Sequence, residues 1–156
     1  MQQVANLEGT SQQRIDGMFW NQGDSDASGQ AIMRDSYGSN LINFVDRLWT
    51  DLKACSPILF PFIPLQLHWK VYSEDKKPSK STKQYLNAMT KVNEAMRKAC
   101  DELGPAARMA TISREMEATI ASMIDDGHSG TGALLLEGQL LANTFIDVLH
   151  LQKVDG

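Results

Sequence analysis

The spacing of apolar residues along the chain predicts four helices. In residues 39–55 apolar side chains recur at intervals of three and four, the period of a helix that is buried on one face. The same spacing recurs in residues 81–103, in residues 105–126 and in a last stretch that ends at Leu151. We therefore predict an all-α, four-helix bundle-like domain, in which the second and third helices form an antiparallel hairpin.

The last helix is the strongest candidate for the most buried element of this domain. Its apolar residues extend around much of the helix circumference, as in its Leu134-Leu135-Leu136 run. Gly138 lies in its middle and costs about 1 kcal/mol of helix propensity relative to alanine. We expect a neighbouring helix to cross closely at this glycine.

Two segments do not follow the helical period. Residues 58–67 are apolar but contain Pro61 and Pro64, which a helix interior or a central strand does not accept, so we predict a buried, extended, Pro-rich connection. Residues 1–38 are polar, and the capping-box spacing near their start favours one short helix. We therefore divide the chain into an N-terminal arm, 1–38, and a helical domain, 39–156.

The arm carries two large apolar side chains, Phe19 and Trp20. Leaving both in water would be costly, so we expect them to dock on this domain or on a neighbouring subunit. They are our candidate oligomer contact, and a homo-oligomer is the expected assembly.

Size and composition fit one domain with its own core. The chain has 156 residues and is 42% hydrophobic, which suits a globular protein. Its two cysteines do not form a spaced disulfide framework, its first residues do not resemble a signal peptide, and no stretch approaches the roughly 18 apolar residues of a membrane span. We expect a cytoplasmic or intravirion location and no membrane partner.

Charge is strongly segregated along the chain. Residues 66–100 hold eight of the fifteen basic side chains and three of the nineteen acids. This basic block has aromatic residues interleaved, the combination with which proteins bind single-stranded nucleic acid. An acidic protein surface would satisfy the same charges, and a plain solvated helix face would also explain them. The candidate binding residues are Lys70, Lys76, Lys77, Lys80, Lys83, Lys91 and Lys98, with Trp69 and Tyr72.

Residues 24–35 resemble a calcium-binding EF-hand loop in part. Oxygen-bearing side chains occupy the first, third and fifth positions, glycine the sixth and Asp35 the twelfth. Ala31 replaces the usual branched apolar residue, Asp35 is shorter than the usual glutamate, and a second loop is missing. A flexible turn is the simpler interpretation.

Catalytic and metal motifs are hard to find in this sequence. Asp125, Asp126 and His128 could ligate an ion, although acids and glycine at a helix end are normally exposed. The glycine-rich segment 127–132 could bind an anion or simply cap the last helix. No serine, cysteine or threonine lies in a nucleophile motif. We predict no catalytic residue, metal, cofactor or small-molecule substrate.

These observations lead to a non-enzymatic helical subunit of an oligomeric or nucleoprotein assembly of viral, phage or defence-system type. Its basic block would contact nucleic acid or an acidic protein. Two alternatives stay open: a calcium-responsive binding module that uses residues 24–35, and a small helical enzyme whose site the sequence does not reveal.

Overall fold

The computed structural model describes residues 15–53, 59–67, 80–113, 116, 119, 124–125, 128–129 and 131–154. Its elements in chain order are β1 (Met18–Trp20), α1 (Asp24–Ser28), α2 (Ala31–Asp51), β2 (Phe62–Pro64), α3 (Lys80–Leu103), β3 (Ile124–Asp125), β4 (His128–Ser129) and α4 (Thr131–Val154). The chain is mostly helical, as the sequence predicts. The four-helix bundle arrangement is not confirmed.

Helix α2 begins at Ala31, eight residues before the predicted start. Its buried side chains are spaced by four residues and extend back to Tyr37. Gly38 lies beside Ala95 of α3, with only 3.3 Å between the Ala95 carbonyl oxygen and the place a Cβ would occupy. The proposed boundary between residues 38 and 39 therefore falls inside a helix, and Gly38 lets this helix approach α3 closely.

Strands β1 and β2 pair in parallel, with Met18 opposite Phe62 and Trp20 opposite Pro64. The segment 106–110 adds a third parallel partner on the other side of β2, through the bridges Phe62–Ala107 and Leu65–Ala110. Hydrogen bonds support both contacts of β2: the Leu65 N–H donates to the Trp20 carbonyl, and the Ala110 N–H donates to the Pro64 carbonyl, each at 2.8 Å. Three short parallel segments thus lie side by side.

The two prolines do not prevent this pairing. The Pro61 carbonyl accepts a hydrogen bond from the Met18 N–H, and the Pro64 carbonyl accepts one from Ala110, both at 2.8 Å. Each proline therefore serves as an acceptor, a role that does not need the missing N–H. Phe62–Pro64 form a buried strand with a partner on each side, so the objection to a central strand was wrong.

The predicted third helix does not start at Pro105. Gly104 has φ of +82°, the left-handed conformation that commonly ends a helix, and it follows α3 directly. The next residues are extended because their backbone bonds to β2, including the Phe62 N–H to the Ala106 carbonyl at 2.8 Å. The antiparallel helical hairpin is thus wrong at its beginning, and most of residues 114–123 lie outside the described part of the chain.

Helices cover both faces of the three parallel segments. Phe62 packs into a cluster with α2 and α3, whereas Ile63 and Leu65 pack into a second cluster with Ala133 and Val148 of α4. Successive residues of a strand point to opposite faces, so β2 separates the two clusters. The result is α2 and α3 on one side and α4 on the other.

Helix α4 is buried along one stripe rather than all round. Ala133 and Val148 are fully buried, while Leu135 is 70% exposed. Gly138 is exposed, and no described atom lies within 4 Å of the place a Cβ would occupy, so the described part of the chain shows no close helix crossing there. Among the described helices, α4 over Thr131–Gln152 alone has the length and composition of a membrane span, a test that core helices of soluble proteins also pass.

Candidate functional site

The three parallel segments end at the same edge, and the loops that follow them meet there. In α/β proteins, binding and catalytic residues often lie on the loops that follow the carboxyl ends of the parallel strands. Here that edge is formed by residues 21–23 after β1, residues 66–67 after β2 and residues 111–113 after the third segment. We therefore take this edge as the candidate site.

The loop after β1 is fixed by a tyrosine from α2. The Tyr37 hydroxyl donates to the Gln22 carbonyl at 2.9 Å and accepts from the Trp20 indole N–H at 3.4 Å. Burial raises the pKa of Tyr37 to about 12, so the hydroxyl stays protonated and remains a donor at neutral pH. The Gln22 side chain is exposed and donates to Asp26 at 3.0 Å, which leaves its second amide hydrogen available.

Gly23 completes this loop in a conformation that favours glycine. Its φ is +139°, and it is buried against the side chains of Leu67 and Val92. A Cβ there would lie 3.0 Å from Leu67 Cδ1 and 3.1 Å from Val92 Cγ1. The chain can therefore turn from β1 into α1 in the narrow space beside the end of β2.

The loops after β2 and the third segment are tied together by amide side chains. Asn93 of α3 binds Leu67 twice, accepting from its N–H and donating to its carbonyl, each at 2.8 Å. Gln66 accepts from the Ile112 N–H at 3.1 Å through its side-chain oxygen. These bonds satisfy the backbone where the strand ladder stops and hold the edge rigid.

The direction of α4 places its first turn at the same edge. Near its end, the Gln152 amide donates to the Leu59 carbonyl at 3.1 Å, and Leu59 lies before β2. Phe145 lies against Gly17 and, edge-to-face, against Phe19, at the beginning of β1. Helix α4 thus runs antiparallel to the strands, and its start at Thr131 lies toward their carboxyl ends.

The short hairpin of β3 and β4 leads directly into this start of α4. Its two strands are antiparallel, and the backbone register sets Asp125 opposite His128. Residues directly opposite in an antiparallel pair share a face of the hairpin. The backbone register therefore pairs an aspartate with a histidine three positions further along the chain, just before α4.

Two further groups of the described chain, the Cys100 thiol and the Ser113 hydroxyl, differ in their surroundings. Burial raises the pKa of the Cys100 thiol to about 12, and Cys100 is only 4% exposed, so it is a protonated core residue. The Ser113 hydroxyl accepts from the Met116 N–H at 3.2 Å and so caps a helical turn. Among the described residues, no group of three or more acids, histidines or cysteines could hold a metal ion.

The predicted basic surface is described only in part. Lys83, Lys91 and Lys98 are exposed on α3, and Lys80 is its first residue. Lys70, Lys76, Lys77, Trp69 and Tyr72 lie outside the described residues.

Phe19 and Trp20 pack within their own chain. Trp20 is half-buried, with its ring centroid 4.9 Å from that of Phe44, and Phe19 is 52% exposed with its ring 5.9 Å from that of Phe145. Trp20 therefore docks on its own domain, the first of the two expected positions. The oligomer contact stays a prediction.

The calcium loop does not have the expected conformation. An EF-hand loop wraps its ligands around the ion, but Asp24–Ser28 is helix α1 and a second helix follows from Ala31. Asp26 accepts a hydrogen bond from Gln22 at 3.0 Å, and Asp24 faces the Tyr85 hydroxyl at 3.5 Å. The resemblance to a calcium loop is thus limited to composition.

Parallel segments flanked by helices, with polar loops gathered at one edge, are also found in proteins that bind small ligands at such an edge. A comparison with known protein families identifies the family of this chain. Residues 1–147 match the family described as carbohydrate esterase, sialic acid-specific acetylesterase, and the chain belongs to this family. No curated protein and no solved structure matches the chain.

This family membership overturns the function expected from the sequence. The prediction of a non-enzymatic assembly subunit was wrong, as were the viral and nucleic-acid-binding assignments, because the family is one of esterases. The prediction that the chain is not an enzyme was wrong for the same reason. Of the alternatives, the small enzyme with an unrecognised site agrees best with the family.

The sequence analysis did not predict the edge at which the three parallel segments end, for two reasons. Strand β1 has three residues and β3 and β4 have two each, too short for an alternating pattern to be recognised. Residues 24–35 were compared with a calcium loop or interpreted as a flexible turn, and the strand before them was not recognised. The usable signal was Asp125 and His128 flanking a glycine just before a long helix.

Proposed function

We propose that this chain hydrolyses acetyl esters of carbohydrates, with His128 as the general base and Asp125 as the carboxylate that orients it. The register that sets Asp125 opposite His128 carries the proposal. It is supported by the position of the hairpin at the start of α4 and by the esterase family that covers both residues.

The reaction needs a base that accepts a proton and later returns it. As an attacking oxygen adds to the acetyl carbon, His128 takes the proton of that oxygen, and the carbonyl oxygen becomes negative. When the tetrahedral intermediate collapses, the ester bond breaks and the imidazole gives its proton to the departing sugar oxygen. The complete reaction consumes one water molecule, and its products are acetate and the sugar with a free hydroxyl group.

Asp125 has the role of fixing the imidazole and stabilising its positive form. A carboxylate that accepts from one ring nitrogen leaves the other nitrogen as the base, which sets the tautomer. The exposed amide of Gln22 is a donor of the kind that stabilises an ester oxyanion, and it lies beyond the same edge. The hydrogen bond from Tyr37 to the Gln22 carbonyl holds this loop in place.

The test is acetate release from O-acetylated sialic acid by the wild type and two variants. We expect His128→Ala to lower kcat at least about a hundredfold and Asp125→Asn to lower it substantially, since general-base catalysis contributes about 10²–10⁴-fold. His150→Ala is the matched control, because His150 is exposed on α4 away from its first turn. A His128→Ala protein that is folded by circular dichroism and keeps the wild-type rate would refute the assignment.

The same wild-type protein can be used to determine whether the attacking oxygen comes from a side chain or from water. Incubation with a serine-directed fluorophosphonate, followed by intact-mass analysis, separates a side-chain hydroxyl from water. A stoichiometric adduct identifies a nucleophilic hydroxyl in this chain, whereas an unmodified but active protein indicates attack by water.

A further inference from the structure

A polar cavity of about 510 Å³ lies between α1, α2 and α3. Its size is in the range of small-molecule sites. It is lined by the end of α1, the first turn of α2 and the first half of α3, and α1 follows β1 after three residues. Its polar lining comes from Ser28, Arg34, Gln84, Tyr85, Asn87 and Lys91.

The lining residues of this cavity include two cations and no acid. Arg34 is half-buried and fixed at one end, since its Nη1 donates to the carbonyls of Ala27 at 3.2 Å and Gly29 at 2.5 Å. Its other guanidinium nitrogens bond to no described residue and remain available for a ligand. A fixed guanidinium with free donors is well suited to bind a carboxylate.

Helix α3 supplies the opposite wall of the cavity. Gln84, Asn87 and Lys91 are spaced by three and four residues and so share one helix face. All three are exposed, and none has a hydrogen bond or ion pair with another described residue. Two amides and an ammonium group thus face a guanidinium across the cavity.

A second cavity, beside the loop that follows β1, has a lining of the opposite charge. It measures about 390 Å³, lies beside Trp20 and Phe44, and has Asp26 but no cation among its lining residues. An anionic group would be repelled there and attracted between Arg34 and Lys91. The two cavities therefore differ in the charge of the ligand that they favour.

We propose that the cavity between α1, α2 and α3 binds the carboxylate of an acidic sugar of the sialic acid class. Arg34 and Lys91 hold the carboxylate, while Asn87 and Gln84 hydrogen-bond the neighbouring polar groups of the sugar. The inference rests on the proposed function, because it assigns the acid group of the same substrate whose acetyl ester is cleaved.

The kinetic test compares O-acetylated sialic acid with its methyl ester, which lacks the negative charge. For the wild type we expect kcat/KM to be at least about tenfold higher for the free acid, in line with the strength of charge-assisted hydrogen bonds. Lys91→Gln should reduce this ratio severalfold, because it removes one of the two cations in the cavity lining. Lys98→Gln is the matched control, since Lys98 is exposed two turns further along α3 and outside the cavity lining.

A binding measurement keeps the test independent of hydrolysis. Unacetylated N-acetylneuraminate is titrated into the wild type, Lys91→Gln and Arg34→Lys by isothermal calorimetry. We expect weaker binding for both variants and unchanged binding for Lys98→Gln. Equal binding by wild type and Lys91→Gln, or equal kcat/KM on acid and methyl ester, overturns the carboxylate site. Binding that depends on Lys91 without any ester hydrolysis overturns the proposed reaction instead.

Discussion

Single residues determine how the edge of the parallel segments is built. Gly23 permits a turn that brings the backbone within contact distance of Leu67 and Val92. Tyr37 and Asn93 then fix the loops on either side of that turn with hydrogen bonds of 2.9 Å and 2.8 Å. Each of these residues acts on the backbone of a loop, so each contributes to both stability and site geometry.

Replacing Gly23 with alanine should destabilise the protein and impair hydrolysis together. The new Cβ meets two side chains at 3.0 and 3.1 Å, and φ of +139° is unfavourable for alanine. We expect a loss of about 2 kcal/mol or more in the free energy of unfolding, measured by urea denaturation.

Gly104→Ala is the control for conformational strain alone. Gly104 has φ of +82°, but no described atom lies within 4 Å of the place its Cβ would occupy, so we expect a loss of about 1 kcal/mol and an unchanged rate of ester hydrolysis. Equal effects of the two substitutions on both stability and rate would contradict the role given to close packing at Gly23.

At the scale of elements, α4 shows how a very apolar helix can have only one buried face. Ala133 and Val148 pack under β2, while Leu134, Leu135, Ile146 and Leu151 are exposed. The periodicity of the sequence could not separate these faces, because leucine occurs on both. The strand that α4 covers decides which face is buried.

Gly138→Ala should stabilise α4. In an exposed helix interior with open space at the Cβ, alanine is favoured over glycine by about 0.5–1 kcal/mol. We expect this gain in the free energy of unfolding, measured by urea denaturation.

Gly38→Ala is the matched control for Gly138→Ala. Gly38 is also helical, but its Cβ would lie 3.3 Å from the Ala95 carbonyl oxygen, so we expect no gain or a loss. A destabilised Gly138→Ala protein would show that another part of the chain or a partner packs against this glycine.

At the scale of the whole molecule, the parallel segments connect the helices of the two faces. The order β1, β2 and 106–110 follows the chain, with α2 and α3 as the crossovers. Both crossover helices lie on one face, as crossovers of one hand require. Since the segments are buried between helices on both sides, their backbone bonds are the most protected from water.

Native-state hydrogen exchange tests this arrangement. The amides of Phe62, Leu65 and Ala110 donate across the parallel segments at 2.8 Å, so their exchange should require nearly global unfolding. The Ala27 amide of the five-residue helix α1 donates to the Gly23 carbonyl just before that helix, and it should exchange much faster. Comparable rates at Leu65 and Ala27 would mean that the parallel pairing is not part of the stable core.

The local pattern of apolar residues was sufficient to predict the long helices α2 and α3. It was not sufficient to predict the candidate site. The stripes of α2 and α3 follow the 3.6-residue period because each helix buries one face against the other. Met18–Trp20 and Phe62–Pro64 have no such signature, since a three-residue strand is defined by its partners. Asp125 and His128 were visible as residues, but their pairing depends on a hairpin register that composition does not reveal.

The sequence by itself determined that this chain is mostly helical, that Cys100 and the apolar stripes of α2 and α3 are core, and that basic side chains cluster along α3. These properties depend on neighbours three or four positions away and on the transfer of apolar side chains out of water. Only the tertiary structure decided the parallel pairing of β1, β2 and 106–110, the exposed face of α4 and the shared edge of the candidate site. These depend on contacts between residues more than forty positions apart, whose free energy appears only when the distant segments meet.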